Sequence, residues 1–238
     1  MNNQTIINDV TAISDAEFKY TLSSDFGLLD EMDYGCSGIV LEATVLHLEI
    51  KNIPSLLKTG KRLAARVYKM YHHALSEAAK ETKAHLSCIA PDSFLLIYPK
   101  ETHETSYAVD AARKIAHLLS HTLQAVMEKH ATPNFAIGID KGNILGTKAL
   151  SDNGEGHTLW IGNAINKAKA ISHECNRPFY VGLSGTVYNH LDEEHRTMTK
   201  RILGFKKQVE IWSTVSYQFE NIKKHLYQTN ILIPFEEE

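Results

Sequence analysis

Cysteine is scarce in this chain of 238 residues, and excess charge of either sign is nearly absent. The three cysteines, Cys36, Cys88 and Cys175, are odd in number, far apart and outside any CxxC pattern. That excludes a disulfide framework and a cysteine zinc site, and predicts reduced thiols in a reducing compartment. A formal net charge of -3 offers no general attraction to nucleic acid or to an anionic membrane, leaving room only for a local basic patch. No apolar run approaches the length of a membrane span. The polar start MNNQTIINDV lacks a basic stretch followed by an apolar one, so no signal peptide is read and a cytoplasmic location is expected. Internal repeats and low-complexity tracts are missing too. The 13 histidines, His72-His73 and His157 among them, form no metal pattern such as HExxH and read as surface or packing residues.

What is present is a chain long enough to bury a sizeable core, with ordinary globular composition at 43% hydrophobic and 22% charged residues. Residues 1–42 are polar and irregular and read as an extension that docks on a main domain over 43–215; a tail covers 216–238. ATVLHLEI (43–50) has strand character. Pro54 suits the first turn of a helix running to about Lys83, with apolar residues at helical spacing. HLSCIA and SFLLIYP read as two strands around Pro91-Asp92, and a second long helix is expected over about 104–130. NFAIGID and NILGTKA are strands or a hairpin. A helix over 162–175, a strand at RPFYVG, a short helix at SGTVYNHL and a hairpin around Lys206 and Lys207 follow. The order β-α-β-β-α-β, with a further β-α-β, predicts an α+β sandwich on a ferredoxin-like core, helices lying on one side of a largely antiparallel sheet.

The helix opened by WIGNAINKAKA sorts its residues at about 100° per position. Ala164, Ala168, Ile171 and Cys175 fall on one side, a buried face; Asn166, Ala170 and His173 fall together on the opposite side. Pattern alone leaves Asn166 either a solvated residue or a chemical one.

Two segments carry a family resemblance. AIGIDKGNILG (136–146) followed by GNAINKA (162–168) resembles the paired signatures of the class III adenylate and guanylate cyclases, G-I-x-x-G-x-x-x-G and G-[DN]-x-[VI]-N-x-A. Gly138, Ile139, Gly142, Gly146, Gly162, Asn163, Ile165, Asn166 and Ala168 match, and the resemblance extends over roughly 43–215. It implies a nucleoside triphosphate as substrate, two Mg²⁺ or Mn²⁺ ions, and a homodimer that builds each cleft from both chains. It places the metal ligands at Glu49, the backbone of Ile50, and Asp92, where glutamate replaces a family aspartate and Pro91 a family glycine. Asn52, Ile53 and Pro54 likewise replace small loop residues. If the metals are held there, the Glu49 and Asp92 carboxylates converge.

The resemblance assigns Asn166 to the transition state, and an arginine one turn later; this chain has Ala170. Such a cation can matter by about 10³–10⁵ in rate. Lys167 is either a partial substitute or a solvated surface charge. Lys206 and Lys207 sit near the family's phosphate-binding lysine, and Cys88 and Leu159 occupy its base-reading positions, where neither offers the expected hydrogen bonds. Two functions therefore stand: a divergent nucleotidyl cyclase, or a degenerate cyclase-homology domain that binds nucleotide as a dimer and regulates a protein partner. A nucleic-acid binder is disfavoured by the acidic balance and the lack of a basic aromatic strand motif.

Overall fold

The computed structural model describes residues 3–32, 36–51, 53–129, 134–150, 156–202 and 205–235. Its centre is a long antiparallel pair, β2 (Ser37–Ile50) and β5 (Phe135–Leu150), in register from Gly38↔Thr147 to Ile50↔Phe135. Both strands are apolar on both faces. Ile39, Leu41, Ala43 and Val45 join one buried cluster, and Leu46, Leu48 and Ile50 join another. A strand apolar on both sides requires cover on both sides.

Before the centre come α1 (Asn3–Asp15), β1 (Lys19–Leu22) and α2 (Gly27–Glu31). β1 pairs in parallel with the start of β2, and Leu29 of α2 is buried among Ile39, Leu41 and Ile144. After β2 follow α3 (Ile53–Lys58), α4 (Lys61–Glu81), β3 (His85–Ala90), β4 (Ser93–Pro99), α5 (Thr105–His117) and α6 (Gln124–Met127). After β5 follow β6 (Gly156–Ile161), α7 (Asn163–Glu174), β7 (Val181–Ser184), α8 (Gly185–Asn189), α9 (Glu193–Arg196), β8 (Thr197–Ile202), β9 (Phe205–Glu210), β10 (Ser213–Phe219) and β11 (Ile222–Thr229). The main sheet runs β10-β11-β7-β5-β2-β4-β3, with β1 and β6 paired on β2 and β5. The mixed α+β architecture and mostly antiparallel sheet agree with the sequence reading.

Several expectations change. The helices do not share one side: α4 and α5 pack on the Leu46–Ile50 face, and α7 packs on the other, burying Ala164, Ile165 and Ala168. The helix expected from Pro54 to Lys83 breaks at Gly60, whose φ of 112° only glycine adopts without strain. The helix expected over 104–130 ends at His117 in a widened π-type turn over Leu118–Thr122 before α6. NFAIGID and NILGTKA form one continuous strand, β5.

The last hairpin also differs. Its strands β8 and β9 pair Lys200↔Lys207 and Arg201↔Lys206, so the two lysines lie within β9 rather than at the tip. Residues 216–229 join the sheet, because β10 and β11 form a second hairpin whose inner strand, β11, lies along β7 and leaves β10 at the edge. A boundary at 215 therefore falls inside β10, as one at 42 falls inside β2.

Candidate active site

Helix α7 lies directly on β5. A Cβ added at Gly138 would stand 2.0 Å from the Ala168 carbonyl oxygen and 2.4 Å from the Ser172 nitrogen, so glycine there is what lets the helix approach. This contact fixes which way α7 faces. Ala164, Ala168, Ile171 and Cys175 are buried, and the side chains of Asn166 and His173 are exposed, as helical spacing predicts. Ala170 departs from the prediction. It is half-buried against Tyr217, Phe219 and Leu226 of the C-terminal hairpin, together with Ala136, Ile171 and Cys175. The place expected for an arginine thus packs against an apolar cluster that includes two aromatic side chains.

Lys167 is not a solvated surface charge. Its side chain is 25% exposed, and Nζ lies 3.7 Å from Oδ2 of Asp140 on β5 beneath the helix. Asp140 is wholly buried; Ser184 donates to Oδ1 at 2.5 Å, while Oδ2 accepts no hydrogen bond. Burial pushes the Asp140 carboxyl above the usual carboxylate range, opposed by Ser184 and Lys167. Asp140 escaped the sequence reading. Its signal was a lone acid inside the apolar strand AIGID.

Glu49, Ile50 and Asp92 meet at one end of the sheet. Glu49 pairs in register with Ser93, and the Ile50 N–H donates to the Asp92 carbonyl at 2.9 Å. The two carboxylates nevertheless keep different company. Glu49 Oε2 lies 3.2 Å from Lys51 Nζ and 3.4 Å from Nδ1 of His173 on α7. The charge of Asp92 is felt at Tyr68 of α4 and at Cys88 of β3, raising both groups after burial itself. Among the described residues, no three His, Cys, Asp or Glu side chains group to hold a metal ion. The donor set therefore does not fit a two-ion cage, because the Glu49 carboxylate is already neutralised by an ammonium.

A buried histidine ties this end of the sheet to α7. His47 Nδ1 lies 2.8 Å from Ser172 Oγ, and Nε2 lies 2.8 Å from Ser93 Oγ. Ser172 gives its only proton to the Lys169 carbonyl at 2.7 Å. Nδ1–H must then donate to Ser172, and Nε2 must accept from Ser93. Burial, then the cations Lys169, His173 and Lys51, push His47 down to about 4, so the ring is neutral near pH 7. Ser93 adjoins Asp92, and Ser172 adjoins His173, so one imidazole links the two segments.

Among the remaining predicted residues, Cys88 lies close enough to Asp92 to feel its charge. Cys88 is exposed on β3, and Leu159 is 41% exposed on β6. Lys206 and Lys207 are exposed on the separate β8–β9 ribbon, whose neighbours Met198, Ile211 and Trp212 pack into the cluster on the α4–α5 face, opposite α7. Asn52 lies outside the described residues. A cavity of about 860 Å³, lined in part by Phe26, His103, Tyr107, Asp110 and His195, includes none of the residues singled out from sequence.

The fold has clear counterparts. The crystal structure of the guanylyl cyclase Cya2 superposes with a TM-score of 0.65 at 14% identity, covering 82% of this chain and 94% of that one. The guanylate cyclase domain of RhGC from Catenaria anguillulae, in complex with GTP, superposes with a TM-score of 0.61 at 15% identity, covering 81% and 98%. In sequence, a uridylate cyclase of Burkholderia cepacia is 23% identical over 176 residues, spanning 72% of each chain. No family model matches the chain. The architecture is that of the class III adenylyl and guanylyl cyclases, as the two glycine segments implied.

Proposed function

We propose that this chain is a divergent nucleotidyl cyclase, converting a nucleoside triphosphate to its 3′,5′-cyclic monophosphate and pyrophosphate. The ribose 3′-oxygen bonds to the α-phosphorus, the bond to the bridging oxygen of pyrophosphate breaks, and the hydroxyl proton is released. The observation that carries the reading is Asn166: its side chain is exposed on a helix otherwise locked onto β5, within a class III cyclase fold. An exposed amide on a rigid element can hold an oxygen of the reacting phosphate where charge develops. The similarity to a uridylate cyclase makes UTP the first substrate to test.

The test is incubation of the full chain with UTP, CTP, ATP and GTP in turn, each with Mg²⁺ and with Mn²⁺. Products are separated by chromatography and identified by mass. A cyclic monophosphate with an equal amount of pyrophosphate is expected from at least one. If none yields a cyclic product at high protein concentration, the reading fails. The degenerate, nucleotide-binding reading then takes its place; it is favoured by one specific observation, the packing of Ala170 against the apolar cluster that includes Tyr217 and Phe219.

A further inference from the structure

Glu49 and Lys51 alternate at the end of β2, so both side chains project toward α7. The Lys51 ammonium stands 3.2 Å from Glu49 Oε2 and donates to the His173 carbonyl at 3.1 Å. The pair is shielded, with side-chain exposures of 16% for Lys51 and 21% for Glu49. Its root is fixed as well, since the Lys51 N–H donates to the Asn134 carbonyl at 2.7 Å. Oε2 is shut off from solvent and accepts no hydrogen bond, so Lys51 and His173 are its charged or titratable neighbours at close range.

A carboxylate oxygen beside a main-chain carbonyl oxygen is the donor set that a hard cation takes. Here a side chain of the same protein takes it. An ammonium 3.2 Å from that shielded oxygen opposes a divalent ion on it. A Mg²⁺ ion bonds its ligands at about 2.0–2.1 Å, which would bring two like charges together in a shielded site.

We propose that Lys51 is the resident cation at Glu49, standing in place of one of the two divalent ions that the cyclase resemblance implies. The chain then takes up one divalent ion with its triphosphate, not two. The identity of the triphosphate rests on the cyclase reading; the occupancy of Glu49 by Lys51 does not. The lysine brings one positive charge where a divalent ion brings two, and it cannot be removed by a chelator.

Mn²⁺ binding to the full chain tests this, followed by calorimetry and by the electron paramagnetic resonance of the bound ion. Titrations are run with Mn²⁺ alone and with added 3′-deoxyuridine triphosphate, which lacks the attacking hydroxyl. With the triphosphate, one ion per chain is expected for the wild type and two for Lys51→Met. With Mn²⁺ alone, Lys51→Met is expected to gain a site that the wild type lacks. Adding Glu49→Gln to Lys51→Met should remove the gained ion, and Lys51→Arg should keep the wild-type count. Two ions on the wild type overturn the proposal, even if Lys51→Met fails to fold; so does a folded Lys51→Met chain that gains none. Cyclic product from a wild type holding two ions retires Lys51 and leaves the cyclase reading standing. A gain with Mn²⁺ alone, without cyclic product from any triphosphate, does the reverse.

Discussion

Lys167 follows Asn166 directly in sequence, yet the two side chains do different work because a helix turns by about 100° between them. Asn166 looks outward, and Lys167 reaches down to the buried carboxylate of Asp140. A buried charge is tolerated only when paired, so removing the lysine leaves Asp140 with the Ser184 hydroxyl. Lys167→Met is expected to lower stability by about 2–3 kcal/mol, below the full cost of breaking a buried pair because the lysine is partly exposed. The pH dependence has a definite sign. Burial already holds the Asp140 carboxyl above the range of an unfolded chain, and loss of the cation raises it further. An acid raised on folding keeps its proton longer in the native state, and stability falls as pH rises through that window. Urea midpoints should therefore show a smaller gap between wild type and variant at about pH 5 than at about pH 8. A gap that widens on acidification would assign Lys167 a role unrelated to Asp140.

Helix α7 is the element on which sequence and structure agree most closely. Its apolar stripe at helical spacing names its buried face without reference to any partner, and Ala164, Ala168, Ile171 and Cys175 are all buried. The flank holding Ala170 was not legible, because what covers it arrives late in the chain. β10 reads STVSYQF, with buried residues only at Tyr217 and Phe219, and its hairpin is held by pairing β11 with β7. Such long-range pairing leaves little local trace. The break at Gly60 was hidden by apolar spacing that continues across it, and Lys51 by a partner, His173, that lies far along the chain. The hairpin yields a prediction of its own. Ala170→Arg, which restores the residue type expected from the resemblance, has to fit against the cluster that holds Tyr217, Phe219 and Leu226. It should cost about 1–3 kcal/mol of stability, as overpacking does, without raising the rate of cyclisation. Thermal unfolding and product assays on the same sample check both parts. A faster enzyme of unchanged stability would show that the hairpin yields easily.

At the level of the whole molecule, the question is whether one chain can complete a site. His173 lies beside Glu49, and Asn166 stands seven positions earlier on α7. At 1.5 Å of rise per residue the two are about 10 Å apart along the helix axis. On the proposed reading, an exposed Asn166 set this far along α7 from Glu49 is open to a nucleotide held by a second copy. A pair of chains related by a two-fold axis meets this need twice, giving two clefts that each take Asp92 from one chain and Asn166 from the other. Mixing tests it directly. Asp92→Asn and Asn166→Ala are each expected to lose nearly all activity as pure proteins. After co-refolding in equal amounts, random pairing makes half the dimers mixed, and each mixed dimer has one intact cleft of two. About a quarter of wild-type activity should return. If each site were built within one chain, every chain in the mixture would carry one lesion, and no activity would return at any ratio.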